Sequence, residues 1–292
     1  MHGVGTAFSA ITIVNALPTG IGCAIGIELP ATAEVDLTVR DRSAPFELRI
    51  APTSRTRLVE TAVRTGIARY LPDSSAAAEV RLRSEIPVAR GLKSSSAVAS
   101  AVLLAVADAA DQHPTAQEIA SLSADVGREA GVSATGAFDD ALAGLQPGFV
   151  VTDNREKRVL RSEALTDDWE VAVLVPPGTH RPSPEWASQF AREHDAGRRA
   201  VDAARSGDWA EAMRRNTELV ERVMGYDYAP LRSALHRAGA GAAGVSGLGP
   251  ALAALAPPHR TDEILARLAR EPGEHLRVGF VRNGPGAPRM AP

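Results

Sequence analysis

The sequence predicts an α+β protein of two domains. Three observations carry this reading. The first half alternates strand-like and helix-like segments; a charged stretch around 155–168, REKRVLRSEALTDD, is poor in core residues and marks a break; and the second half runs strand, helix, helix, strand, helix, strand. The domains are drawn at 1–160 and 161–282, and the Pro/Gly-rich tail 283–292 is expected to be disordered.

In the first half, ATAEVDLTVR at 31–40 alternates with period two and puts Val35, Leu37 and Val39 on one face. FELRI at 46–50 repeats the pattern after a polar turn, and the two segments are expected as neighbouring strands. Residues 54–71 place Leu58, Ala62, Thr65 and Ala68 at helical spacing, with Val59 and Val63 beside them, and stop before Pro72. AEVRLRSEIPV at 78–88 alternates again. The run SAVASAVLLAVADAA that follows is too long for an average strand and apolar nearly all round, which predicts a buried helix. A second helix over about 115–130 carries Ile119, Leu122 and Val126 and ends at Gly131, a residue suited to a left-handed cap. GFVVTD then reads as a strand.

The second half opens on the strand EVAVLVPP. One helix is expected over about 184–205, and another from Asp208, where Glu211 completes a capping-box pattern, to Gly225. A short helix over 229–238 leads into GAGAAGVSGLGPALAAL, and TDEILARLAR (helix) and HLRVGFVR (strand) close the chain. That order suits a ferredoxin-like layer better than a doubly wound sheet. Trp169, Trp186 and Trp209 fall at strand or helix positions and are read as packing, and REHDAGRR at 192–199 as a solvated helix face.

Composition narrows the function. The chain has 292 residues, 45% hydrophobic and 23% charged, with a net charge of -3, so nothing overall attracts nucleic acid or an anionic membrane. No apolar run is long enough to span a bilayer and the N-terminus lacks a signal-peptide pattern, so a cytoplasmic location is expected. The single cysteine, Cys23, has no disulfide partner and is read as a small buried residue.

The segment IPVARGLKSSSA at 86–97 carries the chemistry. A strand, a loop containing Gly91 and a buried helix beginning near Ser94 present unpaired N–H groups and the positive end of a helix dipole to an anion. Lys93 adds positive charge, and Ser94, Ser95 and Ser96 offer hydroxyls to a phosphate or Mg²⁺. Alone, the serines also fit a helix cap beside a solvated lysine. The loop is not a Walker A motif, because GxxxxGK[ST] is absent.

Together with three further segments, this one resembles the GHMP kinase superfamily, and in particular its archaeal-type shikimate kinases. Those segments are NALPTGIGCAIGIEL at 15–29, TGAFDDALAG at 135–144 followed by GFVVTDN, and GVSGLGP at 244–250. The resemblance spans about residues 3–282. It implies the GHMP kinase fold, with an N-terminal domain like domain 2 of ribosomal protein S5 and a C-terminal ferredoxin-like domain. It also implies ATP and Mg²⁺ as cofactors, shikimate as the partner, phosphorylation of its ring 3-hydroxyl, no nucleic acid or membrane, and a monomer or homodimer.

By the same resemblance, Pro87, Gly91, Leu92, Lys93, Ser94, Ser95, Ser96 and Ala97 bind ATP phosphates. Asp139 and Lys93 are catalytic, and Asn15, Thr19, Gly20, Asp139, Gly247 and Gly249 line the substrate. Gly22 belongs to the first of these motifs, although TGIG also suits a plain turn between strands, and SGLGP a plain hairpin. Ser95 and Glu129 would hold the metal; Glu129 could equally be a surface charge beside Arg128. One of Asp139 and Asp140 is expected to cap a short helix over 139–145. Arg90, Arg181 and His180 are candidates for the substrate carboxylate, and adenine is expected near 50–60 and the loop before Ser94. The sequence departs from the superfamily in carrying Lys93 inside the loop, Leu248 where threonine is expected, and LQP at 145–147. These departures leave another small alcohol as an alternative substrate, and a catalytically silent ligand-binding homologue as a further one.

Overall fold

The computed structural model describes residues 1–51, 56–165, 168–178 and 184–284. In the first layer, β1 (His2–Val14) and β2 (Ile21–Asp41) form a long antiparallel pair. Then come β3 (Glu47–Ala51), α1 (Thr56–Tyr70), β4 (Ser74–Ser84), α2 (Ser94–Ala109), α3 (Ala116–Glu129), α4 (Phe138–Ala143), β5 (Phe149–Asp153) and β6 (Arg158–Glu163). The sheet runs β3-β4-β2-β5-β6, with β1 on the other edge of β2.

The two strands expected as neighbours are not paired. β4 lies between β2 and β3, antiparallel to the former and parallel to the latter. The β3–α1–β4 crossover brings β4 back alongside β3, which a sequence pattern alone does not specify. In α1 the buried stripe is Leu58, Val59, Ala62, Val63 and Ile67, whereas Ala68 is exposed and Thr65 half-buried, because the stripe follows the i, i+4 rows toward α2.

The open edge of β1 is occupied by groups from elsewhere. The N–H groups of Val4, Phe8 and Thr12 donate to Asp108 Oδ2 (2.8 Å), the Gly144 carbonyl (3.0 Å) and Ser246 Oγ (3.2 Å). Three segments share the opposite edge of β2. β5 pairs with Ile21–Ile25, residues 279–281 hydrogen-bond at Gly26 and Glu28, and β4 pairs from Ala31 onward. Pro30, which cannot donate to a ladder, stands at the register shift between these zones.

The second layer contains β7 (Glu170–Val175), α5 (Pro184–Arg192), α6 (His194–Ser206), α7 (Trp209–Met224), α8 (Ala229–Arg237), β8 (Ala242–Val245), β9 (Leu252–Ala256), α9 (Pro258–Leu268) and β10 (Glu274–Val278). Its sheet order, β10-β7-β9-β8, is all antiparallel and matches the ferredoxin-like arrangement expected from element order. Alternation along β7 serves two cores. Val171, Val173 and Val175 join the core of the first layer, while Ala172 and Leu174 pack with Phe190, Leu219, Leu235 and Ile264.

Three further expectations are revised. The charged stretch after residue 155 contains the edge strand β6, which belongs to the first sheet and straddles 160/161. The helix expected over 184–205 is two, broken at Glu193, whose carboxylate pairs with Arg222 at 2.7 Å. Gly197 in the same run is buried against Pro18, so 192–199 is not simply a solvated face.

Trp169 and Trp209 pack edge to face at 5.4 Å, as expected of packing residues. Most of the tail, 285–292, lies outside the described residues. Among the described residues no helix is long and apolar enough to cross a membrane.

Candidate active site

The buried helix α2 begins where the motif at 86–97 predicts. Twelve of its residues are buried, so it is held by packing rather than by a side-chain cap. Its N-cap is Lys93, in a left-handed conformation (φ 56°) with no capping side chain, so the serines do not serve as an N-cap. Ser94, Ser95 and Ser96 form the first turn, whose amides have no intrahelical acceptor. Leu92 and Ala97 are buried in the core and Pro87 is half-buried. Leu92 therefore anchors the loop, its carbonyl accepting from Ser9 Oγ at 2.8 Å.

The loop connecting β8 and β9 packs against this one. Ser246 Oγ donates to the Gly91 carbonyl (2.8 Å), and the Ala251 N–H donates to the Arg90 carbonyl (3.1 Å). At Gly91, with φ 86°, a Cβ would stand 2.1 Å from the Ser246 carbonyl oxygen, so only glycine permits the approach. The Gly247 N–H donates to Thr12 Oγ1 (2.9 Å), and its carbonyl accepts from Asn15 Nδ2 (3.3 Å). SGLGP is thus a hairpin connection, and it is also the piece of the second layer that meets the phosphate loop. Leu248 packs into the second core, while its carbonyl accepts from the Tyr226 hydroxyl at 2.9 Å.

The first motif forms the β1–β2 connection. The Asn15 side chain accepts from the Leu17 N–H (2.9 Å), Gly20 N–H donates to the Ala16 carbonyl (2.7 Å), and Thr19 Oγ1 accepts from the Ile21 N–H (3.1 Å). It is a tight turn, yet it is tied to the site through Asn15 and through Gly22, which faces Asp139. A Cβ on Gly22 would lie 2.1 Å from Asp139 Oδ2.

Both carboxylates of FDD are buried in the first turn of α4, Asp139 at 4% and Asp140 at 7% exposure. Neither is a cap, because the N-cap of α4 is Ala137, in a left-handed conformation. Asp140 Oδ1 lies 3.2 Å from Lys93 Nζ. Burial pushes the Asp140 carboxyl up to about 7, Asp139 adds to the rise, and the Lys93 ammonium opposes it. Burial also raises Asp139, against Lys93 and a hydrogen bond from Asn154 Nδ2 at 2.7 Å. The Cys23 thiol, fully buried nearby, is raised by burial and by Asp139 and stays a neutral packing group, as its sequence reading expects.

Lys93 therefore stands where three motifs meet. Its ammonium pairs with Asp140, a Cβ added to Gly247 would lie 3.1 Å from Nζ, and its backbone opens α2. Of the remaining expected residues, Glu129 is exposed at the end of α3. The α3 residue Ser123 donates to the Ser96 carbonyl at 3.4 Å, which sets the C-terminal half of α3 beside the start of α2. Arg90 Nη1 donates to the Pro176 carbonyl at 2.8 Å, bridging the layers. His180, Arg181 and residues 52–55 of the expected adenine region lie outside the described residues.

The structure adds residues that the motifs do not single out. Thr152 and Asn154 support Asp139, Asn216 accepts from the Asn15 N–H at 2.8 Å, and Tyr226 and Tyr228 hold the carbonyls of Leu248 and Pro250. Asn154 stands in the quoted TDN string, a polar residue directly after a strand, which was the one available signal.

Residues 57–148 match the family described as GHMP kinases N terminal domain, and residues 198–275 match GHMP kinases C terminal. A shikimate kinase of Halobacterium salinarum is 34% identical over 276 residues, covering 94% of this chain and 95% of that protein. One from Archaeoglobus fulgidus is 37% identical over 279 residues, covering 94% and 90%. Among solved structures, the mevalonate kinase of Methanococcus jannaschii superposes with a TM-score of 0.74 at 16% identity, over 97% of this chain and 99% of that one. Homoserine kinase from Cytophaga hutchinsonii does so at 0.70 and 14% identity, over 97% and 96%. With both halves matched by the family and its motifs meeting around Lys93, the chain belongs to the GHMP kinases.

Proposed function

We propose that this chain is a shikimate kinase that transfers the γ-phosphoryl group of ATP to the ring 3-hydroxyl of shikimate. The observation that carries the chemistry is Lys93, whose ammonium lies between a buried carboxylate pair, a glycine loop and a helix N-terminus. The choice of alcohol rests on the similarity to the shikimate kinases of Halobacterium salinarum and Archaeoglobus fulgidus.

In this reading the first-turn amides of α2 and the Lys93 ammonium hold the triphosphate. The substrate hydroxyl attacks the γ-phosphorus in line, the bond from that phosphorus to the β,γ-bridging oxygen breaks, and ADP departs. Asp139 accepts the hydroxyl proton, and Asp140 keeps Lys93 aimed at the phosphates. Asn15, Thr19, Gly20, Gly247 and Gly249 line the substrate side.

Ser95 and Glu129 are the residues that would hold Mg²⁺. Both are oxygen donors, which suit an ion that takes its other ligands from phosphate and water. When bound, the ion neutralises charge on the phosphate oxygens. The setting is cytoplasmic, and the active unit is a monomer or homodimer.

Leu248 is half-buried and packs against the second core, which accounts for a leucine at this departure from the superfamily. An ADP-release assay across shikimate, cyclic polyols and homoserine tests the reading. Turnover on shikimate is expected, and turnover on another alcohol with none on shikimate would overturn it.

A further inference from the structure

We infer that Asn154 is a positioning residue that fixes the Asp139 carboxylate so that Oδ2, and not Oδ1, receives the substrate proton. The inference rests on the proposed role of Asp139 and extends it to a residue to which the resemblance assigns no role.

Asn154 is fully buried at the end of β5. Its Oδ1 accepts from the Asp139 backbone N–H at 3.1 Å and from the Thr152 hydroxyl at 2.7 Å. A backbone N–H only donates, so the amide oxygen must face it and the amide cannot be flipped. Nδ2 therefore faces Asp139 Oδ1 at 2.7 Å, and since Nδ2 also only donates, Oδ1 must offer a lone pair.

A carboxylic hydroxyl oxygen accepts more weakly than a carbonyl oxygen, so that N–H favours keeping Oδ1 bare and a proton on Asp139 at Oδ2. That atom faces Gly22, in the substrate-side motif. The backbone N–H of Asn154 donates to the Gly20 carbonyl at 2.9 Å, tying the same residue to that motif. When the substrate O–H bond breaks and its proton joins Oδ2, the Asn154 bond to Oδ1 persists, and no rearrangement is needed within the buried network.

The titratable groups facing Asp139 are Lys93 from the loop before α2, Asp140 on its own helix and Cys23 on β2. Lys93 is engaged by Asp140, and Arg128 of α3 is engaged by Asp125 at 2.9 Å and by the Thr135 carbonyl. Asn154 is thus the side-chain donor that, beside the backbone N–H groups of Asp139 and Asp140, favours the ionised form of Asp139. Removing it disfavours that form, so the carboxylate must lose its proton at higher pH.

The test is the pH profile of kcat/KM for shikimate in Asn154→Ala and Thr152→Val, with KM for ATP measured alongside. In Asn154→Ala the acid limb is expected to move up by about one pH unit, a roughly 10-fold loss at acid pH that recovers as pH rises, with KM for ATP unchanged. Thr152→Val, which removes only the bond holding the amide, is expected to shift the limb the same way by less. The double variant should shift no further than Asn154→Ala.

A limb that stays in place, or a loss of equal factor at every pH, overturns the inference. If Asn154→Ala does not fold, Thr152→Val alone decides it by the same criterion. Asp139→Asn separates the two levels: retained kcat there overturns the underlying role of Asp139, whereas loss of kcat with an unmoved limb in the other variants overturns only the positioning by Asn154.

Discussion

Two buried ion pairs behave as opposites. Arg232 and Glu221, at 10% and 11% side-chain exposure, form a two-pronged contact of 3.1 and 2.9 Å between α8 and α7. Lys93 and Asp140, at 14% and 10%, meet through a single contact of 3.2 Å, with a second carboxylate beside them. The first pair is saturated by its own partners. The second holds more negative than positive charge, so it resists ionisation and has donors to spare for a ligand. Similar burial therefore supports structure in one place and chemistry in the other.

The largest expected effect comes from breaking the saturated pair. Glu221→Ala leaves Arg232 buried and uncompensated and should cost about 3–5 kcal/mol of stability in denaturant unfolding, while the folded fraction keeps its turnover. Next, Asp139→Asn should lower kcat on the order of 10²-fold or more with ATP binding retained, read by single-turnover kinetics and nucleotide titration. Lys93→Met should lower turnover by a comparable factor. Its stability should fall more steeply than the parent's as pH rises above about 4, because without the ammonium the buried Asp140 carboxyl is held higher still.

The fourth expectation concerns stability against pH. Both carboxyls are raised in the folded state, so the folded protein binds more protons than the unfolded chain between about pH 4 and 7. Their contribution is complete below the unfolded value and is lost as pH rises through the folded one. Thermal midpoints of Asp139→Asn should accordingly fall less than those of the parent between pH 5 and 8, and an equal slope would remove the contrast between the two pairs. The smallest effect is expected at the half-buried Arg214 on the surface of α7, paired with Glu211 at 2.7 Å and Glu218 at 2.5 Å, where Arg214→Ala should cost only about 1 kcal/mol.

Much of the site was legible because its residues are unusual for their places. A lysine and three serines before an apolar helix, or adjacent aspartates in an apolar helix, conflict with local preference, and such conflicts mark function. The fold was less evenly legible. β6 was hidden because RVLRSE is a half-exposed edge strand with little apolar alternation. The break at Glu193 was hidden because helix-forming residues run through it, and the partner its side chain meets there, Arg222, is distant in the chain. The pairing of β3 with β4 depends on a crossover, and the roles of Asn154 and Asn216 depend on bonds to residues far along the chain.

The long strand β2 also bears on how the chain comes to be folded. Residues 279–281 fill the gap on its edge between β5 and β4, and the Phe280 side chain is buried in the first core. On a ribosome that stretch emerges after every other strand of the first sheet. The first sheet has its other strands long before it has this segment, and so it waits, with Gly26 and Glu28 facing water, until the second layer has been made. Truncation only a few residues before Gly279 would therefore damage the layer that is made first.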